Sequence, residues 1–226
     1  MTNKPSDPKQ TLLINRYHPS AFLLAAQLLL LILYILFGDT REMPILFNAV
    51  SIAVLILVMW VINRSPAADW VAWVLAVPAF ILSILSITDA FPELLKWSSI
   101  ISGVLYFYTA GSLIAYMMKD YKVTVDELFA TGATFTLLAW GFAYFYLAAQ
   151  AWLPDSFLSS IHPDRAMDFI ELLSLSFTNL TATGLSDIVP VSIPARVLVM
   201  LEQFVGIGYV AMVVSRLVGL TIGGKK

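Results

Sequence analysis

Long apolar runs constrain this chain more than any other feature of its sequence. Most of them extend for about 20 residues, the length at which a helix crosses the ~30 Å hydrocarbon core of a membrane. Apolar residues make up 59% of the chain and charged residues only 12%, whereas a soluble domain carries about 25% charged residues. The runs do not alternate in polarity as the strands of a membrane barrel do. The sequence therefore predicts an all-α integral membrane protein.

The apolar runs divide the chain into three parts. We predict a cytoplasmic segment at residues 1–19, a four-helix bundle at 20–122 and a unit with the last two spans at 123–226. The predicted spans are Ser20–Phe37, Ile45–Asn63, Trp70–Ile87, Trp97–Met118, Leu128–Leu153 and Val191–Leu220. With both termini inside, the cytoplasmic segments hold nine of the 13 Lys and Arg residues and the outer segments four. This bias predicts cytoplasmic termini, in a plasma membrane or a bacterial inner membrane.

The segment between the last two spans, 154–190, is too long for a turn and too polar to span. His162-Pro163-Asp164 has the pattern of a helix start, since Pro is favoured at the first helical position. Asp168 and Glu171 follow in early turns, where the helix dipole favours negative charge. We predict a helix at about 164–180, long enough for half a membrane.

A polar stretch, 181–187, follows this half-helix. Non-helical backbone at membrane depth is tolerated only inside protein or beside a wet cavity. The negative end of the helix, near Leu180, would favour a cation in that cavity. From these features alone, a pore and a re-entrant loop without a conduction role are both open.

The polar stretch resembles a known motif. Thr181-Ala182-Thr183-Gly184-Leu185-Ser186-Asp187, ahead of Pro190, resembles the T-T-V-G-Y-G-D pore signature of tetrameric potassium channels. The likeness continues to Arg196 and to Gly206, where the family often has a hinge glycine. It covers 128–220, while the first four spans resemble six-span, voltage-gated-like channels only in topology. The resemblance implies four identical subunits, a two-helix pore module with a re-entrant pore helix and a filter loop, and permeant K⁺ or Na⁺ with no other cofactor.

The resemblance also implies roles for individual residues. The ion-binding filter would consist of Thr181, Ala182, Thr183, Gly184, Leu185 and Ser186, and Asp187 would lie at the pore mouth. Gly206 and Gly208 would form a gating hinge, although close helix packing explains such glycines equally well. Thr178 and Glu202 would support the filter. Glu202 is the acidic residue of a predicted span, so we expect it to bond pore-helix hydroxyls or a neighbouring subunit, with an ion-pathway role as the alternative.

The filter departs from the family pattern at four positions. Ala182 replaces a threonine whose hydroxyl forms the innermost site, and Thr183 replaces a valine. Leu185 replaces the tyrosine that ties the filter to surrounding helices. Ser186 replaces a glycine, and costs about 1–2 kcal/mol if its φ must be positive. We expect a channel that conducts K⁺ with reduced discrimination against Na⁺; a sharply K⁺-selective pore is the alternative if packing holds Ser186.

Other features limit the mechanism and the function class. The fourth span, Trp97–Met118, contains no Lys or Arg, so it is not expected to sense voltage by the usual arginine mechanism. An enzyme is not expected, because motifs such as H-E-x-x-H are absent and the two histidines, His18 and His162, lie far apart. A net charge of −2 gives no sign of a nucleic-acid partner. A non-conducting structural or modulatory subunit, or less favourably a transporter, remains the alternative to a channel.

The end of the chain suggests two further partners. Arg216, Lys225 and Lys226 flank the sixth span, where cations contact anionic membrane lipids. Because the sequence ends soon after that span, we expect any cytosolic regulatory domain to be separate or removed.

Overall fold

The computed structural model describes residues 19–37, 54, 57, 69–85, 92–119 and 125–223. Nearly all of the predicted N-terminal segment 1–19 lies outside these residues. So do most of the predicted second span, Ile45–Asn63, and the terminal Lys225 and Lys226.

The described part is mostly helical, which confirms the predicted fold class in its main feature. Its helices are α1 (Pro19–Phe37), α2 (Asp69–Leu85), α3 (Pro92–Met117), α4 (Val125–Trp152), α5 (Phe169–Leu180) and α6 (Ile193–Gly223). By length and composition, three described helical stretches can cross a membrane: Lys96–Met117, Val125–Trp152 and Ile193–Arg216. The apolar stretches of α1 and α2, Ser20–Leu33 and Trp73–Leu82, are shorter, so the six-span topology stays a prediction.

Helix α4 is the centre of the packing. Helices α3 and α1 both pack against α4, and α2 packs against α3. The residues α4 buries are often small, such as Ala130 and Ala133, and small side chains let neighbouring helices approach closely. Thr136 Oγ1 of α4 donates to Gln27 Oε1 of α1 across 2.7 Å, which joins the two helices with a buried polar contact.

Helix α5 packs against both α4 and α6. Aromatic contacts hold its first turn on α4, since the ring of Phe169 lies 5.9 Å from Trp140 and 4.6 Å from Tyr144. At 12 residues α5 is about 18 Å long, roughly half the thickness of a membrane. This arrangement places the C-terminal end of α5 beside the middle of α6.

The start of α5 differs from the prediction. Helix α5 begins at Phe169 with Asp168 as its N-cap, so the predicted start at His162-Pro163-Asp164 is wrong. The reason is the capping box of Asp168 and Glu171, which satisfies backbone donors at the helix end. The proline at position 163 occupies a turn instead.

A small antiparallel sheet departs from the all-α prediction. Strand β1 (Phe157–Ser159) pairs with β2 (Ile188–Pro190), with Leu158 opposite Val189. The sheet connects the loop before α5 with the loop after it. Each strand has only three residues, too few for an alternating pattern to be recognised in the sequence.

Candidate functional site

The first turn of α5 is closed by charged side chains. Asp168 Oδ1 accepts from Glu171 N at 2.9 Å, and Asp168 N donates to Glu171 Oε2 at 2.8 Å. Arg165 binds the same carboxylate through both terminal nitrogens, at 2.7 and 2.8 Å. Burial alone would raise the pKa of Glu171, but the hydrogen bonds from Arg165 and Asp168 N outweigh it and hold that pKa below its usual value. These bonds fix the start of α5 at Phe169, directly after its N-cap Asp168.

The loop after α5 is fastened to the end of the helix by its own backbone. The amides that follow α5 all donate to carbonyls of its last turn: Thr181 to Phe177 (3.1 Å), Ala182 to Asn179 (2.9 Å), and Thr183 and Gly184 to Thr178 (3.0 and 3.3 Å). Among the described residues, no donor reaches the carbonyl oxygens of residues 181–183. These oxygens are available to a cation at the negative end of the helix dipole.

The threonine hydroxyls of this loop also turn back to α5. Thr181 Oγ1 donates to Phe177 O at 2.7 Å, and Thr183 Oγ1 donates to Thr178 O at 3.2 Å. Thr178, predicted to support the filter, contacts the loop through its carbonyl, which accepts from Thr183 and Gly184. Its own hydroxyl donates to Leu175 O at 2.8 Å within the helix.

Left-handed backbone occurs at two positions of the loop. Ala182 has φ 56° and Gly184 has φ 66°. Ser186 is not among the described residues with positive φ, so the strain that the sequence suggested for Ser186 lies at Ala182 instead. Ser186 has a different part in the loop: its Oγ accepts from Ile188 N at 3.1 Å. Only glycine adopts positive φ without a steric cost, so Ala182 is the strained residue of this segment.

The outer end of the loop is tied to the segment before α5. Ser159 Oγ donates to Asp187 Oδ2 at 2.6 Å, and Ser160 N donates to Asp187 O at 3.0 Å. Ser159 Oγ in turn accepts from Ile161 N at 3.0 Å and from His162 N at 3.2 Å. Asp187, predicted at the pore mouth, is thus held by a hydroxyl at the edge of the sheet.

The remaining predicted filter residue is Leu185. This residue is 82% exposed in the single chain. In the potassium-channel pattern this position ties the filter to surrounding helices. No such tie is present within the described part of this chain.

Helix α6 packs against α5 and contacts it at two levels. Glu202 is fully buried and is hydrogen-bonded to Ser176 of α5 and to Tyr146 of α4. One turn further along, a Cβ on Gly206 would lie 2.1 Å from the carbonyl oxygen of Leu180. Gly206 is thus a close-packing glycine, whereas a Cβ on Gly208 would meet no described atom within 4 Å.

Carbonyl oxygens are the prominent potential ion ligands of the site. Within the described ranges, His, Asp and Glu side chains form no cluster of three or more that could hold a metal ion.

Comparison with known proteins agrees with this geometry. Residues 132–222 match a protein-family model described as an ion channel. This segment is similar to ion channels. The match covers most of α4, all of α5, the loop at 181–187 and nearly all of α6, which is less than half of the 226-residue chain. No curated protein and no solved structure matches the chain significantly.

Sequence reasoning missed four residues of this site. Ser176 and Asn179 are two of the five polar residues in the half-helix Phe169–Leu180, and their polarity was a usable but unspecific signal. Tyr146 carries no such signal, because tyrosine is common in membrane helices. Ser159 has none either, since its partner Asp187 lies 28 residues away.

Proposed function

We propose that this chain is one subunit of a fourfold cation channel and that residues 181–187 line its narrowest part. The observation that carries the proposal is the loop after α5, whose amides turn to the helix while the carbonyls of residues 181–183 accept no described donor. One loop cannot enclose an ion by itself, so four copies around an axis are needed. The ion-channel match at residues 132–222 supports the same conclusion.

In this proposal each part of the loop has a separate role. Main-chain oxygens from Thr181 to Ser186 replace the water around a permeant K⁺ or Na⁺ ion. Asp187 gives a ring of four carboxylates at the outer mouth, which concentrates cations there. Thr178 and Glu202 hold the loop from behind, and no cofactor besides the permeant ion is proposed.

We propose that selectivity for K⁺ over Na⁺ is reduced. The left-handed Ala182 and the unanchored Leu185 support this, because both disturb a regular stack of carbonyl layers. The alternative is a sharply K⁺-selective pore. Bilayer recordings with K⁺ on one side and Na⁺ on the other decide between them, since a reversal at the K⁺ equilibrium potential contradicts reduced selectivity.

Two substitutions toward the family pattern refine that recording. Ala182→Thr places a β-branched residue in left-handed backbone, and Ser186→Gly removes the acceptor of the Ile188 amide. Both changes should therefore disturb the loop instead of restoring K⁺ selectivity. A gain of selectivity in either variant would show that the family geometry, and not the one described here, operates in the membrane.

Gating is proposed to be independent of charged residues in the fourth span. Between Trp97 and Met117 helix α3 carries no Lys or Arg, which supports this. Of the two proposed hinge glycines, Gly208 has the free space that bending needs, and Gly206 does not. A gating hinge in α6 is thus better placed at Gly208.

The proposed setting is a plasma membrane or bacterial inner membrane, crossed several times, with both termini in the cytoplasm. Lipids contact the outer helices. Chemical cross-linking in the membrane tests the assembly. A tetramer supports a channel, whereas a monomer favours the non-conducting subunit or the transporter.

A further inference from the structure

Two buried glutamates of this chain have different surroundings. Glu127 Oε2 lies 3.1 Å from Arg216 Nη2, and both side chains are largely buried. Glu202 is 0% exposed, and no cation contacts it in the part of the chain that the structure describes. A carboxylate that is buried without a cation pays a large desolvation cost. The hydrogen positions around Glu202 are therefore informative about its charge.

Ser176 has one hydroxyl hydrogen but two oxygen neighbours. Its Oγ lies 2.8 Å from Ala139 O, and it is also hydrogen-bonded to Glu202 Oε1. A carbonyl oxygen can only accept, so the hydroxyl hydrogen points to Ala139. The contact with Glu202 then needs a hydrogen from the carboxyl group itself. An ionised Glu202 would leave two lone pairs facing each other at one of these contacts.

The other oxygen of Glu202 fits the same direction. Tyr146 OH receives an N–H from Asn179 Nδ2 at 3.4 Å and donates its own hydrogen to Glu202 Oε2. With a proton on Glu202, hydrogen bonds run one way from Asn179 through Tyr146, Glu202 and Ser176 to Ala139. Each hydroxyl or carboxyl group along this path, from Tyr146 to Ser176, receives one hydrogen and passes one on. Such a fully satisfied network is stable inside a protein.

We propose that Glu202 carries its proton in the folded protein, and that this neutral acid is a positioning residue for the loop at 181–184. Tyr146 of α4 is the titratable group in contact with it, and α5 contributes only Ser176 and, through Tyr146, Asn179. The path joins α4, α5 and α6, so it fixes the rotation of α5 about its own axis. The inference rests on the proposed function only in treating this loop as the filter.

The path reaches the loop through Asn179. The carbonyl of Asn179 accepts from Ala182 N at 2.9 Å, while its side chain bonds Tyr146. One turn along α6, Gly206 touches the backbone of Leu180, the last residue of α5. A shift of Glu202 would therefore move the point at which the loop leaves the helix.

Infrared spectroscopy on the full chain in lipid nanodiscs tests the charge of Glu202. The difference between the parent and Glu202→Gln should contain the carbonyl band of a protonated carboxylic acid. Glu127→Gln is the matched control, because Glu127 pairs with Arg216, and its difference spectrum should contain carboxylate bands. Carboxylate bands in the Glu202→Gln spectrum would overturn the proposal.

Thermal unfolding gives a second, independent readout. Glutamine accepts from Tyr146 and donates to Ser176 as a neutral acid does, so Glu202→Gln should stay within about 3 °C of the parent midpoint. Glu127→Gln removes the salt bridge between Glu127 and Arg216 and should lower the midpoint by about 6 °C or more. A Glu202→Gln loss as large as that of Glu127→Gln would contradict a neutral Glu202.

Hydrogen exchange tests the positioning role without any measurement of current. Tyr146→Phe breaks the path while keeping the ring, and should raise amide exchange at residues 181–184 several-fold. Glu202→Gln should leave that exchange at the parent level. Unchanged exchange in Tyr146→Phe would refute the positioning role. None of these readouts requires conduction, so they can succeed or fail whether or not the chain forms a channel.

Discussion

The two ends of the loop at 181–190 are held in different ways. The inner end, from Thr181 to Gly184, is bonded to carbonyls of α5 that lie at most six residues earlier in the chain. The outer end, from Asp187 to Pro190, is bonded to a segment that lies 28 residues away at Ser159. Local bonds form together with the helix, whereas the distant ones require the loop before α5 to be in place. The inner end should therefore keep its geometry when the outer end is released.

The largest expected effect comes from the helix that supports the inner end. Gly206→Ala places a methyl group 2.1 Å from Leu180 O, a backbone atom that cannot move without shifting α5. The free energy of unfolding should fall by about 3 kcal/mol, as measured by chemical denaturation in detergent. Gly208→Ala is the control, and should be neutral or up to about 1 kcal/mol more stable. Equal losses in both variants would contradict the close contact.

Ser159→Ala should release the outer end alone. It removes a hydrogen bond to the Asp187 carboxylate and the acceptor of two amides, which costs about 2 kcal/mol. Hydrogen–deuterium exchange mass spectrometry should show faster amide exchange at residues 157–162 and 187–191, and unchanged exchange at 177–184. In the control Ser160→Ala the backbone amide that bonds Asp187 is kept, so exchange should not change. Faster exchange at 177–184 in Ser159→Ala would mean that the two ends are not independent.

Ala182→Gly should relieve strain at the inner end. Glycine removes the steric cost of φ 56°, and the net gain is about 0.5 kcal/mol after the added freedom of the unfolded chain is subtracted. Ala149→Gly in helix α4 is the matched control, with an expected loss of about 1 kcal/mol. Unfolding curves of the two variants should therefore shift in opposite directions. A loss in Ala182→Gly would show that its backbone is not left-handed.

The smallest effect concerns the charged start of α5. The pKa of Glu171 is lowered in the folded chain from its usual value of 4.5, so its contribution is present above that pH and is lost as the pH falls below it. Glu171→Gln should remove this part of the acid sensitivity and leave the outer sheet unchanged. Unfolding at a series of pH values measures it. An identical pH profile in parent and variant would contradict the ion pair with Arg165.

The sequence predicted features that depend on local pattern. The half-helix, the polar stretch after it and the buried contact of Glu202 with a hydroxyl of that half-helix follow from an apolar run, a change in polarity and a lone acid in a span. The start of α5 was placed too early, because a Pro-containing signal at position 163 competed with the stronger capping box at Asp168 and Glu171.

Other features could not be read from the sequence because they depend on distant contacts or on backbone angles. Strands β1 and β2 lie before and after α5 in the sequence and have three residues each. They are too short to show the alternation of polar and apolar residues that predicts a strand. The family pattern raised the question of positive φ at Ser186, whereas the loop has positive φ at Ala182 and Gly184, since its amides wrap around the end of α5. For Gly206 the sequence left a gating hinge and close helix packing open, and only the contact with Leu180 favours packing.

The central claim is that residues 181–187 form the narrowest part of a cation pathway. Single-channel recording of the purified chain in a planar bilayer, under a KCl gradient, tests it most directly. Currents should reverse close to the K⁺ equilibrium potential. Gly184→Ala should shift that reversal or abolish the current, because the φ of Gly184, 66°, suits glycine. Reversal at the chloride equilibrium potential, or the absence of current from a verified tetramer, would contradict it.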